Sequence, residues 1–237
     1  MQKLTEAIEQ PQHGQKEPEE VWDEHDYKKF LNESDARTDK YMELLEKYGD
    51  SDEAEERIAQ EMGWDSDEKD EGGEDGRMSV EEPNRISGKA DDAPPPEPDP
   101  HREGIDWIRT EDGDLRHPLQ HRCFESALKF WHQADALGFE KSEDQDLGQF
   151  LFEFQTTGVK LAGALNGIAE DRGSADPAFT VACLKRALDH LHKSQAGLER
   201  VAPKKLLPEN MIAGARAELF EIRAGILRLM DEFRGRK

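Results

Sequence analysis

Residues 208–235 read PENMIAGARAELFEIRAGILRLMDEFRG. Within them Ile212, Ala215, Leu219, Ile222, Ile226, Leu229 and Phe233 recur at steps of three and four. A spacing held that long puts one apolar stripe on one side of a 3.6-residue helix. Pro208 opens the stretch and Gly235 stops it.

Three more stretches upstream carry the same period. One runs about 119–137, with Phe124, Ala127, Leu128, Trp131 and Ala134 in its stripe. Pro118 sits at its first-residue position, and Gly138 followed by Phe139 fits a left-handed stop. The next opens on a capping box, Ser142 to Gln145, and carries Leu147, Phe150, Leu151, Phe154, Gly158, Leu161, Ala162, Leu165 and Ile168. Gly158, Ala162, Gly163 and Gly167 on it would let a neighbouring backbone approach closely. The third begins at Asp176-Pro177, places Val181, Leu184, Leu188, Leu191, Leu198 and Val201 on one side, and ends before Pro203. Four such helices on short loops predict an antiparallel up-down-up-down four-helix bundle over 118–237.

The rest of the chain is different in kind. Of 237 residues, 36% are charged and 35% hydrophobic, with a net charge of −22. The first 115 residues hold 14 Lys+Arg against 37 Asp+Glu, and the remainder 18 against 17. The whole imbalance is therefore N-terminal. Few apolar residues among like charges cannot offset the entropy of ordering, so an acidic, largely disordered N-terminal arm is expected.

That arm is not uniform. Residues 1–20 are polar and acidic. Residues 21–64 hold an apolar island around Trp22, Tyr27, Phe30 and Leu31. A short αα-hairpin follows at about 35–63. Tyr41, Leu44, Leu45 and Tyr48 form its first stripe, Gly49 its turn, Ser51 the second cap, Ile58 and Met62 the second face, and Gly63 the end. Residues 65–104 read as an acidic, Pro/Gly-rich linker. Residues 105–117 read as a short β-hairpin or loop about the Asp112-Gly113 step, with Trp107 packing on the bundle.

Sequence motifs for chemistry are sparse. His117, His121 and Glu125 lie at i, i+4, i+8, but Pro118 leaves His117 outside the helix. His190 and His192 point to different sides of a helix. The acidic run 65–76 lacks the ligand register of a calcium loop. Arg186 and His192 have an Arg-x5-His spacing that resembles the motif of HEPN-type helical ribonucleases, yet the two residues fall on different faces of a regular helix. Cys123 and Cys183 read as packing residues, and two cysteines are no disulfide framework. Near the end, Lys204, Lys205, Arg216, Arg223, Arg228, Arg234, Arg236 and Lys237 are interleaved with Glu209, Glu218, Glu221, Asp231 and Glu232. That is the pattern of a solvated face. No cofactor is expected.

No leader segment and no run long enough to span a membrane is read in the sequence, and with cysteines reduced the cytoplasm is the expected location. Acidity repels phosphate, so nucleic acid is not an expected partner. The aromatic and sulfur side chains Trp22, Tyr27, Phe30, Tyr41, Tyr48, Met62 and Trp64, set among acids, suit docking into a groove of another protein or of the chain's own bundle. The expected function is a non-enzymatic protein–protein interaction or adaptor protein. The alternative is a small helical-bundle metal-binding protein or enzyme using histidines of the first and third bundle helices.

Overall fold

The structure, a computed structural model, describes residues 21–64, 97–139, 144–173 and 175–235. The expectations for 1–20, for 65–96 and for Arg236 and Lys237 lie outside the described residues. The described elements are α1 (Glu24–Tyr48), α2 (Asp52–Met62), β1 (Ile108–Arg109), β2 (Leu115–Arg116), α3 (Pro118–Ala136), α4 (Gln145–Asp171), α5 (Pro177–Val201) and α6 (Glu209–Arg234).

The bundle helices start where their caps dictate. The Asp176 side chain accepts from the Ala178 and Phe179 amides, and Pro177 occupies the first turn of α5. His117 caps α3, its ring accepting from the Leu119 amide. The capping box proposed from Ser142 is corrected: the cap of α4 is Asp144, which accepts from the Asp146 and Leu147 amides. Aspartate two residues before Asp146 satisfies the same orphan donors, so the helix begins at Gln145.

Cross-helix pairs fix the topology. Arg200 meets Asp146 at 2.5 Å, and His190 meets Glu153 at 2.6 Å, so α5 runs against α4. Arg216 meets Glu199 at 2.5 Å, turning α6 against α5. Arg122 meets Glu218 at 3.0 Å, which closes the ring between α3 and α6. The result is an antiparallel four-helix bundle. Phe150, Phe154, Leu161, Leu184, Leu198 and Ile222 are buried at its centre. All seven stripe residues of α6 are buried.

Two expectations about faces are corrected. In α3 the buried positions are Cys123, Ala127, Phe130 and Ala134, while Phe124 is 48% exposed and Leu128 37%. The helix is turned by a fraction of a residue step, and Gly158 of α4 lies in ordinary contact with Cys123 and Phe124. In α4, a methyl group added at Gly163 or Gly167 would meet nothing within 4 Å, so neither glycine admits a neighbour. The tight approach is on α5, at Gly197.

The stretch before the bundle is ordered earlier than its composition suggests. Residues 97–104, the end of the stretch assigned to the linker, include a 3-10 turn at Pro100–Arg102. The Trp107 indole donates to the Asp99 carbonyl at 2.9 Å. β1 and β2 pair antiparallel, Ile108 with Arg116 and Arg109 with Leu115, with Gly113 at φ +91° in the turn. β2 leans on α4 and leads directly into the His117 cap.

The acidic segment holds a longer first helix than the 35–63 hairpin anticipates. α1 starts at Glu24, capped by Asp23 in a reciprocal box with Asp26. At 25 residues it is about 37 Å long. Its C-terminal part and α2 form the hairpin, closed over Leu44, Ala54 and Ile58.

Candidate functional site

The predicted anchors fall into two groups, one on the bundle and one in the hairpin. In the first, Tyr27 lies edge-on to Phe179 of α5 at 5.3 Å, and its hydroxyl donates to Asp176 at 3.0 Å. Trp22 packs against Tyr27 and Phe30 at 5.2 and 5.5 Å. Leu31, one turn on from Tyr27, packs against the bundle core.

Acids flank these apolar contacts. Glu24 accepts from Lys185 at 2.5 Å and from Arg234 at 3.0 Å. Asp35 pairs with Arg186 and, at 3.4 Å, with Lys160. Lys185 and Arg186 are neighbours on α5, yet Glu24 and Asp35 are about 16 Å apart along α1. Helix α1 therefore crosses α5 transversely, from the end of α6 towards the middle of α4. The α1 surface that meets the bundle is part apolar and part charged, and its Glu24 and Asp35 each meet cations.

In the second group, Tyr41 stacks on Trp64 at 5.8 Å. Tyr48 donates to Glu61, and Lys47 pairs with the same carboxylate at 3.3 Å. Met62 is half-buried at the end of α2, and Trp64 remains 48% exposed. These residues hold α1 to α2 and do not touch the first group.

Sequence reasoning missed a third cluster, beside the bundle's end. Asp106 is 2% exposed. It accepts from Arg102 through two guanidinium nitrogens, at 2.6 and 3.0 Å, and from Arg172 of α4. Arg172 also donates to Glu232 of α6 at 2.6 Å and lies over the Phe233 ring. Burial pushes the Asp106 carboxyl up, but the Arg102 hydrogen bonds and the Arg172 charge outweigh it and hold it low. Nearby His117 is 4% exposed, and burial pulls its imidazole down to about 4. With its Nδ1 engaged as a cap, this histidine is a neutral structural group at neutral pH.

The other histidines do not converge. His121 lies one turn into α3, His190 is engaged with Glu153, and His192 faces solvent. Among the described residues no group of three or more His, Cys, Asp or Glu side chains could hold a metal ion. Burial pushes the Cys123 thiol up to about 12 and the Cys183 thiol to about 11, so neither is a ready nucleophile. Lys204 is paired with Asp144 and Asp146, Arg216 with Glu199 and Arg234 with Glu24, as a solvated, neutralised face requires. No described helix is long and apolar enough to cross a membrane.

Neither a protein family, nor a curated protein, nor a solved structure matches this chain.

The charge pairs define when α1 stays docked. The hydrogen bond from Arg234, with help from Lys185, lowers the Glu24 carboxyl from 4.5 to about 2. Its contribution is therefore full above about 4.5 and lost as pH falls towards 2. Burial and Asp176 raise the Tyr27 hydroxyl from 10 to about 12. Its contribution is full below about 10 and lost as pH rises through 12. Docking is expected to hold between these limits and weaken on both sides. Absorbance at 295 nm reads the alkaline limb directly, since the chain has three tyrosines. The difference between wild type and Tyr27→Phe should show one phenol ionising near pH 12; ionisation near 10 would contradict the docked geometry.

Proposed function

We propose that this chain is a non-enzymatic adaptor of the cytoplasm, with the bundle as platform and the α1–α2 segment as its recognition element for another protein. What supports the reading is the division of α1. Its first half is committed to the bundle, through Tyr27, Leu31 and the ion pairs of Glu24 and Asp35. Its second half carries the hairpin with Met42 and Trp64 about half exposed. A docked stem holding an apolar, acid-flanked tip away from the core is a form suited to presenting a contact surface. The −23 charge of the first 115 residues repels phosphate, which favours a protein over a nucleic acid as partner. Two buried, unpaired cysteines agree with a reducing compartment.

Affinity purification of the full chain from its own cells, with quantitative mass spectrometry, tests this. A protein should co-purify at a fixed ratio and be lost with Tyr41→Ala/Trp64→Ala. A chain that purifies with nothing at a fixed ratio overturns the reading.

A further inference from the structure

The face of α1 that docks on the bundle continues past it. Counting from Leu31, positions 7, 11 and 14 further on return to the same side of a helix. They are Thr38, Met42 and Leu45. Met42, six residues before the end of α1, is 55% exposed, and Leu45 is partly covered. Asp39, Glu43 and Glu46 run along one edge of that side, and the five side chains line a shallow notch.

The docked half shows what this face recognises. There, Tyr27 and Leu31 meet Phe179 and the core, while Glu24 and Asp35 at either end meet Lys185, Arg234, Lys160 and Arg186. The uncovered half carries the same two components, with two apolar side chains on the same face of the same helix and three carboxylates along one edge of it. Its complement is an apolar ridge flanked by cations.

We propose that Met42 and Leu45, with Asp39, Glu43 and Glu46, bind a helix of a partner protein whose apolar residues are flanked by Lys and Arg. The proposal rests on the adaptor reading and gives its partner a chemistry. A second copy of this chain is a poor occupant. Two such faces would set acids against acids. The basic residues that α1 recognises on the bundle are already engaged by the copy's own Glu24 and Asp35.

The probe is a labelled 16-residue Leu/Lys amphipathic helix, with a Leu/Glu twin, titrated with the full chain and read by fluorescence anisotropy. The Leu/Lys helix should bind and the Leu/Glu twin should not. Met42→Ser should weaken binding about tenfold through lost apolar burial. Glu43→Lys with Glu46→Lys should weaken it at least as much. These side chains are at the surface, so circular dichroism should stay unchanged. Phe220→Ser, at a 64% exposed aromatic on α6, should have no effect. Equal binding of the twin, full binding by Met42→Ser, or loss through Phe220→Ser overturns the proposal. So does a dimer in sedimentation that Met42→Ser dissolves, since the occupant is then a second copy.

The two readings fail separately. If the Leu/Lys helix binds at this face but purification from cells yields no partner, the adaptor reading falls and the surface stands. If a partner is recovered equally well by Met42→Ser, the adaptor reading stands and this surface falls.

Discussion

Gly197→Ala is expected to destabilise the bundle by about 1–3 kcal/mol, and Gly197→Leu to abolish its cooperative unfolding transition. An added Cβ at Gly197 would sit 2.8 Å from the Phe150 amide nitrogen, 3.0 Å from the Asp146 carbonyl and 3.1 Å from the Phe150 Cα. All three are backbone atoms of α4, so no side-chain rotation relieves the clash. The neighbouring contact explains why the helices come so close. Ser194, fully buried one turn earlier on α5, donates to the Phe150 carbonyl at 2.9 Å. Moving the helices apart to admit a methyl group would break that bond and leave a hydroxyl buried without a partner. In an exposed helix interior, glycine to alanine is worth about 1 kcal/mol of stabilisation. Gly163→Ala, where nothing lies within 4 Å, is therefore the control, expected to be neutral or stabilising. Urea melts of the three proteins check the ranking; a Gly197→Ala protein as stable as Gly163→Ala would refute it.

The same comparison shows what the sequence did and did not disclose. The bundle is legible because its stripes repeat at three and four, over about six turns in α4 and α6, and that period is a helix's own. The orientation of individual helices was less so. On α3, the expected stripe and the buried one share Ala127 and Ala134 and differ by a small rotation, so either could have faced inward. Which one does is set by packing against the other three helices. The glycines of α4 point to close approach on that helix, and Gly158 does touch α3, but the tightest backbone contact is at Gly197 of α5, which no local signal marks.

The start of α1 was hidden for a different reason. A helix that docks through ion pairs puts Glu24 and Asp35 at inward-facing positions, which interrupts the apolar period that pattern reading relies on. The composition that suggests disorder is here the chemistry of attachment. The predicted anchors split accordingly: Tyr27 serves docking, Tyr41 and Tyr48 serve the hairpin, and Met42, which was not singled out, lies on the uncovered face. Neither the docking of α1 nor the Asp106 cluster could be read locally. Lys185 is 161 residues from Glu24, and Arg172 is 66 residues from Asp106.

Asp106→Ala is expected to cost about 3 kcal/mol, because it removes one partner from a buried charge cluster and strands the others. Arg172 would keep Glu232 and the Phe233 ring but lose its deepest contact, with its side chain only 14% exposed. Arg102 would lose both of its hydrogen bonds to Asp106. The 3-10 turn at Pro100–Arg102 would then keep its own backbone hydrogen bonds and the Trp107 indole on the Asp99 carbonyl, but no ion pair. Trypsin should therefore cut after Arg102 in the variant faster than in wild type, before the bundle itself is digested. Acid titration gives an independent check. The Asp106 carboxyl is held below the usual aspartate value of 3.8 in the folded protein, so its contribution is full above that pH and lost as pH falls below it. Wild type should lose stability over that range more steeply than Asp106→Ala. Asp114→Ala, which removes a 62% exposed carboxylate from its pair with Arg116, should change neither readout. If Asp106→Ala melts with wild type, the cluster is a surface ornament and the 97–117 segment is fastened to the bundle by its apolar contacts alone.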